Sequence, residues 1–536
     1  MKGSSIAVGM RWLALALFCP VLGCGGDGAP GSRASSSGGK GGSSGATLGG
    51  SGGSLPSSGG SNTSGTGGVS PGGGSSGGGM GGTGSTVIHG GPGCGLDEAA
   101  FCDTFDAPAA SQGRAGELDS VSWGAGRLAP QLPSGNGVAY GIGPGTIPAC
   151  RAGLATEVYP DDDAVICDPS DTIKSNHLLV ATAAQNYGQD SFRIRQPFDF
   201  AGRTGKIVFD AEGYIENPLI GWISVEVTED PINAPCFSVG APGTNNDEGS
   251  LVPRNAFEVQ FQNNCAGWAT PPAFSMRFVE VLEDYVSTEL SPATPVCKVP
   301  AQGKLNHFEI DVSQTKIDVY ATDASNDGVT FGELTLLYSA AVNLPFSRGY
   351  VQITTHNHAT LKYSSDHMME AWIARWDNVG FDGPIISNTR EYEAPDALKP
   401  GMDSWNRSGP VVSIGYRVPD AATGPTDVLT FKGLNLEGVT QAQLSVSSWY
   451  LTQDTDLSAV TLSYRFNGGA WNDRKLTAGE IANLTNGHSQ GQLGQMLDVP
   501  VSDLVAGDNT VEFVTSNVPQ SYPPLVANVD LILITN

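Results

Sequence analysis

Few residues in this chain of 536 have types and spacing that could do chemistry. Glu258 lies in the alternating run Phe257-Glu258-Val259-Gln260-Phe261-Gln262-Asn263. A carboxylate on the polar face of such a strand can accept hydrogen bonds or protons. His356, His358 and Asp366, with His367, form the densest polar constellation. Alternate residues on a strand share a face, so these groups could hold a ligand or a metal; a polar loop at a sheet edge is the competing reading. Trp372 follows closely, and Asp377 comes five residues later. Residues 94–536 contain no His-Glu-x-x-His, Gly-x-Ser-x-Gly, P-loop or dinucleotide-binding glycine fingerprint. No catalytic residue is assigned, and Glu258, His356, His358 and Trp372 are the ligand-binding candidates.

Strands must position these groups. Residues 372–384 read Trp-Ile-Ala-Arg-Trp-Asp-Asn-Val-Gly-Phe-Asp-Gly-Pro, with Trp372, Ala374 and Trp376 on one face and a turn at Gly383-Pro384. Alternating, β-branched or aromatic runs at 177–182, 205–212, 221–228, 256–262, 305–312 and 350–355 predict further strands. Amphipathic helices are scarce. Many short strands between turns predict an all-β chain of two sandwich or jelly-roll domains.

The stretch 372–384, the opening Phe101-Cys-Asp-Thr-Phe105 and the segment Leu118-Asp-Ser-Val-Ser-Trp123 resemble the concanavalin-like fold of laminin-G and family-16 glycosidase domains. That resemblance implies a jelly roll over 94–384. It also implies a structural Ca²⁺, with Asp377 as the carboxylate ligand from the last strand and backbone carbonyls near Asp103 and Asp106 completing the shell. Family-16 enzymes carry Glu-x-Asp-x-x-Glu on a central strand. Glu258 matches the first Glu, while Gln260 and Asn263 replace the other two acids, so the family's hydrolytic activity is not implied.

At the N-terminus, Lys2 and Arg11 precede the short apolar run 12–18, too short to span a bilayer. Val21-Leu22-Gly23-Cys24 resembles the bacterial lipobox. It implies a signal peptide over 1–23, lipidation of Cys24 and, with Gly25 next, an outer-membrane address with a membrane anchor. Residues 25–93 hold 30 Gly and 16 Ser, so 24–93 reads as a lipidated cysteine and a disordered tether, roughly 45 Å end to end as a flexible coil. Setting aside Lys2, Arg11, Asp27, Arg33 and Lys40, residues 94–536 carry 24 basic and 53 acidic side chains. Such an excess argues against nucleic acid as a partner. Seven cysteines remain beyond Cys24 in a compartment that permits disulfides. Pairing nearest neighbours gives Cys94 with Cys102, Cys150 with Cys167 and Cys236 with Cys265, leaving Cys297; sequence leaves the connectivity open.

Pro395 and Pro400 mark 385–404 as a linker, and 405–536 reads as a second β-sandwich. Asn467-Gly468-Gly469 is a hairpin signal. Leu504-Val-Ala-Gly-Asp-Asn-Thr-Val511 resembles the entry to a late strand in carbohydrate-binding-type jelly rolls. Trp405, Trp449, Tyr450, Trp471 and Tyr522 could form a sugar-stacking platform, or could be core. The combined expectation is a surface-anchored lipoprotein that binds polysaccharide without catalysis or serves adhesion. The alternative is a polysaccharide hydrolase or lyase with an accessory domain.

Overall fold

The computed structural model describes residues 87–88, 94–105, 118–128, 139–144, 176–183, 188–214, 221–232, 255–262, 275–282, 286–289, 305–322, 330–357, 371–386, 388–394, 415–418, 420–422, 424–425, 427–450, 455–485, 492–518 and 524–536. The protein is nearly all β, and its sheets are built from antiparallel pairs.

Two eight-stranded sheets make the first sandwich. The front sheet runs β12 (Val286–Glu289), β11 (Ser275–Leu282), β10 (Ala256–Gln262), β9 (Gly221–Thr228), β17 (Arg348–Asn357), β6 (Gly188–Ile194), β3 (Trp123–Leu128), with β7 (Phe198–Asp199) also on β17. The back sheet runs β16 (Thr335–Ala341), β14 (Lys316–Ala321), β13 (Asn306–Val312), β8 (Gly205–Tyr214), β18 (Ala371–Asp382), β5 (Asn176–Ala183), β4 (Ala139–Pro144), with β2 (Ala99–Asp103) also on β18. Alternation builds the core. Ile207, Phe209 and Ala211 of β8 share one cluster with Ile223, Val225 and Val227 of β9. Phe209 stacks on Phe308 at 5.1 Å between centroids, and Phe308 meets Phe261 of the front sheet at 4.7 Å.

The stretch 372–384 is the last strand of this sandwich, and a β-bulge explains its sequence. Asp377 pairs with Asp210, but the next pair is Gly380 with Val208. The extra residue shifts the inward parity, so Ala374 and Trp376 are followed into the core by Val379 and Phe381. Asn378 takes the left-handed conformation at φ 48°. Asp377 Oδ1 accepts the Asn378 N–H at 2.8 Å, and Asn378 Nδ2 donates to Asp210 Oδ2 at 2.7 Å. Cys94 and Cys102 are disulfide-bonded beside this strand, as nearest-neighbour pairing predicts. Cys150, Cys167, Cys236, Cys265 and Cys297 lie outside the described residues.

The second sandwich has one sheet of β19 (Thr389–Glu393), β27 (Leu525–Thr535), β22 (Val439–Trp449) and β25 (Gln492–Val499), with β20 (Gly415–Arg417) on β27. The other sheet runs β21 (Leu429–Leu434), β26 (Gly507–Ser516), β23 (Thr461–Phe466), β24 (Asn472–Lys475), and a helix α1 (Ala478–Thr485) precedes β25. The hairpin at Asn467-Gly468 forms as expected, with φ 53° and 67°. In the Leu504–Val511 stretch, the Asn509 side chain takes the Val505 N–H and donates to the Val505 and Gly507 carbonyls. That residue therefore shapes the turn into β26.

Two boundaries differ from the sequence reading. Residues 389–393, inside the predicted linker, are strand β19 and pair along β27 of the second sandwich. Val87 and Ile88, at the end of the predicted tether, are β1 and pair with β15 (Thr330–Phe331). They follow Thr86, forming a β-branched run in a glycine- and serine-rich segment.

Candidate functional site

The outer face of the front sheet is polar. Its register aligns Arg193 of β6, Gln352 of β17, Glu226 of β9 and Glu258 of β10 in one row across four adjacent strands. All four side chains are fully buried. The row follows from local sequence. In Ile223-Ser-Val-Glu-Val-Thr228 the β-branched residues enter the core, which turns Ser224, Glu226 and Thr228 to the other face. Glu226 accepts on both oxygens: Ser224 Oγ donates to Oε1 at 3.0 Å and Gln352 Nε2 donates to Oε2. A buried carboxylate requires such donors. Glu258 stands opposite Glu226, where directly opposed residues hold their Cβ atoms about 4.5–5.5 Å apart. The next row adds Ser191, Thr354 and Ser224.

Arg193 ties this row to the second sandwich. Its Nη2 donates to Glu391 Oε1 on β19, and its guanidinium lies 5.3 Å from the Tyr350 ring centroid. Two residues on, Arg195 Nε donates to Trp123 O at 3.0 Å and Nη1 to Glu391 O at 3.2 Å. Beside them a crevice of about 990 Å³ opens between the sandwiches, with Phe101, Val121, Tyr392 and Lys432 among its walls.

The structure places Glu258 and His356 on the same sheet: His356 aligns with Trp222 of β9, four residues along β17 from Gln352. It does not bring Trp372 to them. Trp372 is on β18 in the back sheet, paired with Thr182, because the chain changes sheets between Asn357 and Ala371. His358, Asp366, His367 and Asn263 lie outside the described residues. Sequence reasoning missed Arg193, Glu226 and Gln352. The signal was present in 223–228, whose alternation is as strict as that around Glu258; the cross-strand register that makes a row is absent from a linear pattern.

On the back sheet, Asp377 is buried beside an ionic network. Arg375 Nη1 donates to Glu212 Oε2 at 2.6 Å, both fully buried. His307 Nδ1 bonds Asp210 Oδ1 at 2.6 Å, and its Nε2 stands 3.5 Å from Glu309 Oε1. Burial alone would lower the His307 pKa, but the hydrogen bonds and charges of Asp210 and Glu309 outweigh it and raise it to about 9. Burial likewise pushes Glu309 up, and His307 and Lys206 outweigh it, bringing Glu309 down to about 2. Among the described residues, no group of three or more His, Cys, Asp or Glu is placed to hold a metal ion. Asp103, near the expected calcium carbonyls, uses its carboxylate to accept the Phe105 N–H and the Trp123 indole N–H.

Two of the five candidate platform aromatics of the second sandwich have described side chains. Tyr450 is core, against Leu457, Val460, Leu484 and Leu493, and burial pushes its phenol pKa up. Trp471 is covered by the Arg465 guanidinium at 4.4 Å. Trp405 and Tyr522 lie outside the described residues.

No protein-family model matches the chain, and no curated protein sequence matches it. Among solved structures, the chain is similar to LamAcat from Zobellia galactanivorans at 13% identity, covering 54% of this chain and 100% of that one, with a TM-score of 0.30. It is similar to the exoplasmic/lumenal domain of VIP36, crystallised with Ca²⁺ and Man3GlcNAc, at 10% identity over 39% of this chain and 82% of that one, TM-score 0.25. A prokaryotic beta-1,3-1,4-glucanase (lichenase) derived from a mouse hindgut metagenome matches at 10% identity over 53% and 98%, TM-score 0.25.

Proposed function

We propose that this chain is a glycan-binding protein that receives its ligand on the outer face of the front sheet. The observation that carries the reading is the row Arg193–Gln352–Glu226–Glu258, with hydroxyls in the row beside it. Carboxylates, amides and hydroxyls at strand spacing suit a ligand that presents many hydroxyl groups, each both donor and acceptor. These side chains have no exposed surface, so binding requires the face to open, and association is expected below the usual 10⁵–10⁷ M⁻¹s⁻¹ for unhindered docking. A glycan array is the test. Retention of a defined set of neutral polysaccharides, weakened by Glu258→Gln, supports the reading; an empty array rejects it.

A second reading is supported by Glu226 opposite Glu258, which puts two carboxyl side chains on one face of adjacent strands, the pair of groups that glycoside hydrolysis needs. Reducing-sugar release from a polysaccharide panel, abolished by either Glu→Gln change, would favour hydrolysis over binding.

Anchoring belongs to the same proposal. Lipidated Cys24 would hold the protein at the bacterial outer membrane on the glycine- and serine-rich tether that precedes Val87. Cys24→Ala is expected to move the protein to the soluble fraction. Calcium at Asp377 is the other part. The ion would take an Asp377 oxygen and backbone carbonyls of the opening segment, and Asp103 would stay with its own N–H partners. Melting with Ca²⁺ and with chelator checks this: a bound ion stabilises by about 2.7 kcal/mol at a hundredfold excess over Kd, a gain that Asp377→Ala removes.

A further inference from the structure

We infer that the crevice between the two sandwiches binds an anionic saccharide, one carrying carboxylate or sulfate groups. The inference rests on the glycan-binding reading and adds the charge of the ligand and a second place that holds it. Residues 94–536 are strongly acidic, yet the crevice walls set Arg195, Arg390 and Lys432 against Glu391 and Glu393. Glu391 is already paired with Arg193, which leaves Glu393 to set against three cations. A local excess of positive charge on a negative protein concentrates an anionic ligand at that place.

Arg195 supplies the specific contact. Its side chain is 10% exposed, and its Nε and Nη1 are fixed on the carbonyls of Trp123 and Glu391. Its Nη2 has no hydrogen-bond partner among the described residues; Glu393 Oε2 stands 3.9 Å away, beyond hydrogen-bond reach. A guanidinium held rigid by two nitrogens, with the third left to donate, is ready to meet a carboxylate or sulfate oxygen at small entropic cost. Phe101 and Tyr392 offer rings against which a sugar face can pack. About 990 Å³ lies at the upper end of the range for ligand pockets, which favour domain junctions.

Calorimetric titration of the full chain with neutral gluco-oligosaccharides, oligogalacturonate and sulfated galactan oligosaccharides tests the inference, at low and at raised salt. At least one anionic ligand is expected to bind tenfold more tightly than the neutral ones, and to lose that advantage in salt. Lys432→Ala, on an exposed side chain, is expected to weaken the anionic ligand about fivefold and leave neutral binding unchanged, and Arg195→Gln to weaken it further. Equal affinity for neutral and anionic ligands overturns the inference while the glycan reading stands, as does wild-type affinity in Lys432→Ala. Binding of no saccharide at all overturns both.

Discussion

His307 shows how one side chain can be held charged inside a sheet. Asp210 and Glu309 flank its two ring nitrogens, and the Phe331 ring lies 5.7 Å from its own. Its folded-state pKa of about 9 lies above the ordinary 6.5, so the protonated form favours folding. That contribution is complete below pH ~6.5 and is lost as pH rises towards 9; a shift of this size is worth about 3 kcal/mol. The wild-type urea midpoint should therefore fall between pH 6 and pH 9.5. The fall should be smaller in His307→Gln, and parallel pH profiles would rule the account out. Glu309 contributes with the opposite sense, above its ordinary range and lost only near pH 2, because His307 and Lys206 hold its carboxylate charged. A linear reading could not find this group, because His307 and Asp210 are 97 residues apart and meet only through the pairing of β13 with β8. Asp377, by contrast, stands in a contiguous stretch that a linear pattern can single out.

Individual elements were far more legible. Strand 256–262 has the expected ends, since Phe257, Val259 and Phe261 alternate with polar residues and all three enter the core. Strand β19 was missed because Pro395 and Pro400 signal a break just beyond it, while its partner β27 lies over 130 residues away. Glycine in Asn378-Val-Gly-Phe381 has a steric reason. A Cβ at Gly380 would stand 2.7 Å from Phe101 O and 3.3 Å from Cys102 Cα, so only glycine lets β2 lie against β18. Gly380→Ala is expected to cost 1–3 kcal/mol, the usual range for overpacking, and to lower the thermal midpoint. Helix α1 carries its own signal, Thr477-Ala-Gly-Glu480. The Thr477 hydroxyl accepts the Glu480 N–H at 3.2 Å, and Glu480 accepts the Thr477 N–H at 2.7 Å. Glu480 also takes both Arg474 nitrogens, at 2.7 and 2.5 Å. Thr477→Ala should cost about 1 kcal/mol and Glu480→Ala more, because the latter also strands Arg474; equal losses in denaturation would contradict that ranking.

At the scale of the whole molecule, the two sandwiches are joined by charge as well as by chain. Arg193 is fully buried and Glu391 nearly so, and the backbone carbonyl of Glu391 also receives Arg195. The two charges sit 198 residues apart, one on a strand of the front sheet and the other on the strand that sequence assigned to a linker. Removing one partner of a buried pair costs about 3–5 kcal/mol, chiefly because the survivor is left charged and dry, whereas replacing both with apolar residues of similar volume can be nearly neutral. Glu391→Ala should therefore destabilise the protein by roughly that amount. Arg193→Met with Glu391→Leu should recover most of the loss. Calorimetry carries a second readout: if the pair couples the sandwiches, Glu391→Ala should split a single unfolding transition into two, and the double variant should restore one. Were Glu391→Ala to unfold at the wild-type temperature in the wild-type number of steps, Arg193 would have found water or another partner, and the junction would owe its coupling to the backbone contacts of Arg195 instead.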